Sequence, residues 1–252
     1  MKLTVSAFGA EIGSIAGLAP SGRLLAAIRA TLHPAKCRCQ ESPPHLIDYH
    51  VSYTGDAVTV LLTHSRGMNS PDIQKLAWDA LLEAAKTALE QGLCGAGKCL
   101  EQTLPPIAEL EFEERPGESF LIFAADHVLP KAFILPLDRT ALNDKDQAVA
   151  AAGPVMLVRT QMEFLPSTHV LAGFAAGATP VLPVPLNTAS TYSDGLPLVS
   201  CAAFSVHRGR LTEAVDCFAN PFWDTVRDQA TQTARAHSAE FLVARAVETY
   251  RR

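Results

Sequence analysis

The chain has 252 residues, of which 48% are hydrophobic and 19% are charged, and its formal net charge is −5. This length and apolar content are enough for a sizeable core, and we treat residues 1–252 as a single domain. With 21 Lys and Arg residues and an acidic balance, we expect no binding to nucleic acid through phosphates. No apolar run reaches about 18 residues and the N-terminus lacks a signal-peptide pattern, so we predict a soluble cytoplasmic protein with no membrane partner.

The six cysteines are too few for a disulfide scaffold. Cys37 and Cys39 in "KCRCQ" lie near His33 and His45, a combination that raises the question of a zinc site. The single residue between the two cysteines does not match the usual zinc pairs, so reduced thiols in a loop are the favoured interpretation.

The N-terminal elements are predicted from alternation and turn chemistry. "KLTVSAF" alternates apolar and polar residues and predicts a strand. "PSGRLLAAIRATL" predicts a helix that Ser21 caps. "LIDYHVSYTGDAVTVLLTH" predicts two strands joined by a hairpin turn at Thr54-Gly55-Asp56.

The strongest predicted element is a helix from Pro71 to Gln91. Ser70 is the expected N-cap, Pro71 occupies the first helical position, and Gly92 ends the helix. Apolar residues recur inside this range at helical spacing.

The remaining segments predict mostly strands. "AELEFEE" and "SFLIFAAD" flank a turn at Arg115-Pro116-Gly117, and "PVMLVRTQ" and "LVSCAAFSV" are two further strands, the last ending at a turn at Arg208-Gly209. "GATPVLPVPLN" is a connector, and the C-terminal segment predicts one or two helices. This order indicates an α+β sandwich.

The stretch "GLCGAGKC", Gly92–Cys99, resembles a phosphate-binding Walker A loop. Such a loop follows a strand and precedes a helix, whereas Gly92 ends a helix and "LEQTLPP" follows. Cys99 also stands where a hydroxyl should bind magnesium. A nucleotide site is therefore not predicted, although the loop can place Lys98 beside an anion.

Several motifs together resemble the archaeal-type fructose-1,6-bisphosphate aldolase/phosphatase family. They are "LTVSAFGAEIGSIAG", "YTGDAVTVLLTHSRG", "SPDIQKLAWDA", "GLCGAGK", "AELEFEERPGE" and "PVMLVRTQ". The resemblance implies an α-β-β-α four-layer sandwich that assembles into a homo-octamer. It also implies several magnesium ions, a bisphosphorylated sugar as substrate, and a lysine that forms a Schiff base.

The chain departs from this family at the implied active site. The family's Lys-Asp-Asp-Pro run, which supplies the Schiff-base lysine and two metal ligands, is Ala151-Ala152-Gly153-Pro154 here. The segment upstream, which in the family includes a catalytic tyrosine, is shortened. Six single positions also differ, each given with the family residue: Glu11 (Asp), Leu18 (His), Ala57 (Asp), Cys94 (Tyr), Lys98 (Gln) and His127 (Lys).

Three acidic residues remain at positions that the resemblance implies for metal binding. We predict that Glu11, Asp56 and Asp126 bind one Mg²⁺ or another divalent ion. The alternative is that these carboxylates cap turns and face water.

Other residues are candidates for catalysis and substrate binding. His127, which replaces a family lysine, is a predicted general base or ligand, with a hydrogen-bonded histidine at a strand end as the alternative. Lys98 is a predicted catalytic cation that replaces the charge of a lost ion or pairs with Asp126 or Glu11, with an exposed lysine as the alternative. Arg159, Gln161 and Asp194 are predicted to bind substrate, with a structural role or an ordinary turn as the alternative. A third possibility is a new site built from Cys94, Lys98, Cys99 and His127, with thiolate chemistry or a softer metal.

Two classes of function follow. The first is a divergent metal-dependent hydrolase or lyase acting on a small phosphorylated or anionic metabolite, without Schiff-base aldolase activity. The second is a non-catalytic homologue that binds ligands or acts as a scaffold. Either would self-associate as a homo-oligomer, for which the resemblance implies an octamer.

Overall fold

A computed structural model describes residues 1–33, 46–97, 107–116, 118–126, 149–161, 181–190 and 196–221, together with 223, 224, 227, 228, 231 and 232. Two helices lie wholly within the described residues, α1 (Gly22–Leu32) and α2 (Pro71–Glu90). The strands are β1 (Lys2–Glu11), β2 (Leu46–Thr54), β3 (Ala57–His64), β4 (Ile107–Glu113), β5 (Glu118–Ala125), β6 (Val149–Ala152), β7 (Val155–Gln161), β8 (Leu182–Pro183), β9 (Leu198–His207), β10 (Arg210–Leu211) and β11 (Val215–Asp216).

The strands form two sheets. The first is antiparallel with the order β2-β3-β1-β4. The second contains seven strands, with β10-β9-β5-β7-β6 as its main path and the short strands β8 and β11 both paired to β9. The predicted strands, the β2–β3 hairpin and the turn at Arg208-Gly209 are confirmed.

Three hydrophobic layers flank these sheets, because each sheet has apolar side chains on both of its faces. Phe120 and Ile122 of β5 face the first sheet, whereas Leu121 and Phe123 face the other way, because successive strand residues point to opposite faces. On its opposite face, the first sheet packs against both helices. The result is a helical layer followed by two packed sheets, an α+β arrangement.

The outer face of the second sheet is covered by Phe218 and Trp223, both fully buried. The described residues from 223 to 232 are helical. Most of the predicted C-terminal helical segment lies outside the described residues. In the part of the chain that the structure describes, no helix is long and apolar enough to cross a membrane.

The predicted helix ends are confirmed with one difference. The Ser21 side chain accepts a hydrogen bond from the N–H of Leu24 at 3.1 Å, as an N-cap should. Ser70 occupies the N-cap position of α2, but its side chain makes no capping hydrogen bond. Instead, Pro71 removes one of the amide donors that a cap would satisfy, and Asp72 places a negative charge in the first turn.

Candidate functional site

Two of the predicted metal ligands lie side by side at one end of the first sheet. Glu11 ends β1 and is paired with Ala57, the first residue of β3, so that Asp56 in the preceding turn is its neighbour. Both carboxylates line a cavity of about 160 Å³. We call this space the carboxylate cavity; its other lining residues are Gly13, Ser14, Gly17, Cys94 and Gly95.

Two loops held together by main-chain contacts form the remaining wall. The backbones of Ser14 and Cys94 exchange two hydrogen bonds of 2.9 Å, which join the loop after β1 to the loop after α2. Gly13 has a φ of +140°, and a Cβ there would lie 2.8 Å from Cβ of Ala88 on α2. The glycine-rich loop that resembles a Walker A sequence therefore forms a wall of the carboxylate cavity. Its Cys94 is exposed.

The third predicted ligand, Asp126, packs behind the turn that carries Asp56. Its Oδ1 accepts a hydrogen bond from the N–H of Leu198 at 2.9 Å, and the residue is 6% exposed. Gly55 has a φ of +58°, and a Cβ there would lie 2.7 Å from Cβ of Asp126. Only a glycine fits this turn without displacing Asp126.

Asp126 is not among the residues that line the carboxylate cavity. Within the described residues, no group of three or more His, Cys, Asp or Glu side chains is arranged to hold a metal ion. The structure thus brings Glu11 and Asp56 together and places Asp126 against their turn. The three-ligand metal site stays a prediction.

The turn between β6 and β7 lies next to Asp126. The carbonyl of Pro154 accepts a hydrogen bond of 2.8 Å from the N–H of Ala125, and a Cβ on Gly9 of β1 would lie 2.3 Å from Cγ of Pro154. Ala152 and Gly153 therefore lie at the same end of the sandwich as the three acidic residues. Their side chains bear no ligating atom.

Arg159 and Gln161 lie at the other end of the second sheet. Ala124 is paired with Val155, whereas Glu118 is paired with Gln161 at the far end of the same two strands. The Arg159 guanidinium forms a bidentate ion pair with the buried Glu118, with distances of 2.5 and 2.8 Å. Because strands rise about 3.3 Å per residue, Arg159 lies about 13 Å along β7 from Val155.

The guanidinium carbon of Arg159 also lies 4.9 Å from the centre of the Phe112 ring, a cation–π contact between the two sheets. These contacts favour the structural alternative for Arg159. Lys98, Cys99, His127 and Asp194 lie outside the described residues, so their predicted roles stay predictions.

The structure contains a polar cluster that the sequence analysis did not identify. Ser6, His64 and Glu109 lie on β1, β3 and β4, and we call them the buried network. Ser6 Oγ lies 2.8 Å from His64 Nε2 and 2.7 Å from Glu109 Oε1. Glu109 Oε2 also accepts the N–H of Asn69 at 2.6 Å.

The hydrogen bonds of the buried network fix its protonation. The N–H of Arg66 donates to His64 Nδ1 at 3.3 Å, so Nε2 carries the proton and donates to Ser6, which in turn donates to Glu109. Burial lowers the pKa of His64 to about 4 despite the opposing effect of Glu109, so the imidazole is neutral at pH 7.

The buried network is not a catalytic Ser-His-acid triad. In such a triad the acid orients the histidine, whereas Glu109 binds Ser6. Ser6 and His64 are also fully buried, which leaves no room for a substrate. The network is a structural cluster.

Comparison with known proteins gives one consistent family. A family model described as fructose-1,6-bisphosphatase matches residues 2–150 and 141–244. The fructose-1,6-bisphosphate aldolase/phosphatase of Cenarchaeum symbiosum is 33% identical, and the alignment covers 94% of this chain and 86% of the relative. The enzyme of the same name from Thermus thermophilus is 29% identical, with 93% and 90% covered.

The first of these alignments also shows that this chain is shorter than its relative. The alignment with the Cenarchaeum symbiosum protein spans 332 residues, more than the 252 of this chain, so the relative has internal segments that this chain lacks. The two family-model matches meet at residues 141–150. The segment upstream of Ala151 that is shortened relative to the family lies in this region.

Proposed function

The chain belongs to the fructose-1,6-bisphosphate aldolase/phosphatase family, and from this premise we propose that it is a divalent-cation-dependent hydrolase or lyase of a small phosphorylated metabolite. The observation that carries the proposal is the convergence of Glu11 and Asp56 on one cavity. Phosphoryl-group hydrolysis is the reaction we favour, because the relatives are named as phosphatases.

The residues of the carboxylate cavity fit one hard cation. Mg²⁺ commonly binds through one or two carboxylates, with waters and substrate phosphate completing its shell. Glu11 and Asp56 supply two carboxylates, and about 160 Å³ accommodates several waters at about 30 Å³ each. A cluster of several cations does not fit the described residues, because Ala57, Ala152 and Gly153 replace three carboxylates that the resemblance implies.

Each residue then has a defined task in hydrolysis. Glu11 and Asp56 would hold the cation, which supplies Lewis-acid polarisation of a phosphoryl oxygen when it is bound. Asp126, the third predicted ligand, is not among the residues that line the cavity, so we propose that it acts as a positioning residue: it packs against Gly55 in the turn that presents Asp56. Gly17 leaves the cavity open on its side, because nothing lies within 4 Å of where its Cβ would be.

Schiff-base aldolase chemistry is excluded from the proposal. That reaction needs an amine nucleophile, and the position that the resemblance assigns to it is Ala151. His127 and Lys98 remain the proposed acid–base and charge-neutralising residues.

The second candidate is a non-catalytic homologue that binds an anionic ligand. It is favoured by one observation: among the described residues, no group of three or more ligating side chains is arranged around a metal. A phosphate-release assay separates the two candidates. The protein would be incubated with a panel of sugar mono- and bisphosphates in Mg²⁺ or Mn²⁺, and inorganic phosphate would be measured.

We expect phosphate release that requires the cation and falls at least about tenfold in Glu11→Gln and Asp56→Asn. The matched controls are Glu90→Gln and Asp79→Asn, which change carboxylates on α2 that do not line the cavity and should retain activity. If no substrate is hydrolysed while ligands still raise the melting temperature, the non-catalytic candidate is correct.

We further propose that the C-terminal segment completes a fourth, helical layer and that the chain forms a homo-oligomer. Phe218 and Trp223 support the fourth layer, because they cover the outer face of the second sheet. Light scattering coupled to gel filtration measures the oligomer. A mass equal to one 27.0 kDa chain would contradict it.

A further inference from the structure

Two cysteines face each other across β9 and β11. Asp216 is paired with Ala202, so the next residues, Cys217 and Cys201, are opposite each other. The N–H of Cys217 donates to the carbonyl of Cys201 at 2.9 Å. Opposite residues of an antiparallel pair have Cα atoms about 4.5–5.5 Å apart, within the range of about 4.4–6.8 Å that disulfides require.

The two thiols have different surroundings. Cys201 is fully buried in the layer that contains Phe218 and Trp223, whereas Cys217 is half-buried. The Cys217 thiol donates to the carbonyl of Val215 at 3.7 Å. The neighbouring Cys201 side chain lowers the pKa of Cys217, while burial raises the pKa of Cys201. Cys217 is therefore the thiol that ionises and meets solvent oxidants first.

We infer that Cys201 and Cys217 form a redox-responsive dithiol that hydroperoxides convert to an intrachain disulfide. The Cys217 thiolate attacks one oxygen of hydrogen peroxide, an S–O bond forms, the O–O bond breaks, and hydroxide leaves and takes up a proton to become water. The Cys201 sulfur then attacks the sulfenic sulfur, an S–S bond forms, the S–O bond breaks, and a second water leaves with the Cys201 proton. In total, two thiols are oxidised and one peroxide is reduced to two waters.

The dithiol adjoins a segment that supports the carboxylate cavity. Oδ2 of Asp216, next to Cys217, accepts the N–H of Leu186 at 2.7 Å. Two residues further on, the carbonyl of Thr188 accepts the N–H of Gly55 at 2.9 Å. The disulfide thus forms next to the segment from Leu186 to Thr188, which is hydrogen-bonded to the turn that carries Asp56.

Peptide mapping of the oxidised native protein tests this inference. Trypsin cuts after Arg208 and Arg210, so Cys201 and Cys217 fall on separate peptides that contain no other cysteine. The native protein would be treated with hydrogen peroxide, alkylated under denaturing conditions, digested and analysed by mass spectrometry.

We expect the two peptides to appear as one linked pair that dithiothreitol separates. The pair should persist in Cys94→Ser, which removes an exposed cysteine elsewhere, and should be much less abundant when the chain is oxidised in urea. In Cys217→Ser, Cys201 should remain reduced. The inference is wrong if the two peptides stay separate after oxidation of the folded wild type, or if Cys217 is linked to a different cysteine.

Discussion

Strand β1 contributes to two polar regions of very different character. In its middle, Ser6 belongs to the buried network, in which each described polar atom has a partner and both Ser6 and His64 are fully buried. At its end, Glu11 and Asp56 line a cavity of about 160 Å³. Acidic residues occur in both regions, so the residue type alone does not distinguish a structural cluster from a candidate functional site. The two regions differ in packing: the side chains of the buried network contact one another, whereas those of the carboxylate cavity line an open space.

This contrast predicts different mutational signatures. A change in the buried network should cost stability and leave cation binding unaffected, because its partners are internal. A change in the carboxylate cavity should alter cation binding and cost little stability, because cavity carboxylates contribute few packing contacts.

The largest loss of stability is expected for Glu109→Ala. It leaves the hydroxyl of Ser6 and the amide of Asn69 without their acceptor, at a cost of about 2–4 kcal/mol in the free energy of unfolding. Urea unfolding measures this loss. Glu113→Ala, an exposed glutamate on the same strand, is the matched control and should change stability by less than about 0.5 kcal/mol. If both substitutions lowered the free energy of unfolding equally, the buried network would not have the structural role assigned to it.

The next largest effect is a pH dependence from His64. Because its pKa is lowered to about 4 in the folded protein, the imidazole takes up a proton on unfolding between pH 4 and 6.5. The contribution of neutral His64 to the free energy of unfolding is therefore complete above pH 6.5. It is lost as the pH falls towards 4, by at most about 1.4 kcal/mol per pH unit.

Measuring the free energy of unfolding of wild type and His64→Gln at several pH values isolates the contribution of His64. His50, whose pKa burial also lowers, contributes in the same direction to both proteins and cancels in the difference. A pH profile of the variant parallel to that of wild type would contradict the assignment.

Gly55→Ala tests the contact between the Asp56 turn and Asp126. The new methyl group would meet Asp126 at 2.7 Å from a backbone with a φ of +58°, so a loss of about 1–3 kcal/mol is expected, with weaker cation binding. Gly22→Ala is the matched control, since φ there is not positive and nothing lies within 4 Å. If Gly55→Ala is as stable as Gly22→Ala, the turn does not depend on Asp126.

The smallest effect is a gain of affinity. Gly153→Asp restores a carboxylate beside Asp126 at a φ of +56°, which Asp tolerates better than most residues, and should raise divalent-cation affinity about tenfold. Gly153→Asn has nearly the same shape without the charge and should leave the affinity unchanged. A calorimetric titration with Mn²⁺ compares the two. Equal affinities would show that this turn does not face the cation.

The elements that the sequence predicts are those with local signals. Alternation defines β1, the Gly55 turn defines the β2–β3 hairpin, and Pro71 and Gly92 mark the ends of α2. The short strands β6, β8, β10 and β11 were not predicted, because two to four residues carry no periodicity and their pairing depends on distant partners.

The site was predictable only in part, for a related reason. Turn chemistry placed Asp56 at a hairpin, but only the register of β1 against β3 brings Glu11 beside it. The buried network combines residues from three strands, and none of them stands out alone. The sequence predicts a strand at Arg159, yet only the β5–β7 register shows that this residue lies at the far end of the strand from Asp126.

The most direct test of the central claim is a calorimetric titration of the protein with Mg²⁺ and Mn²⁺, in wild type and in Glu11→Gln/Asp56→Asn. We predict saturable binding of one cation to wild type and none to the double variant, with both proteins unfolding at similar temperatures without metal. Wild type that binds no divalent cation, or a double variant that binds as tightly, would contradict the claim that these two carboxylates form a cation site.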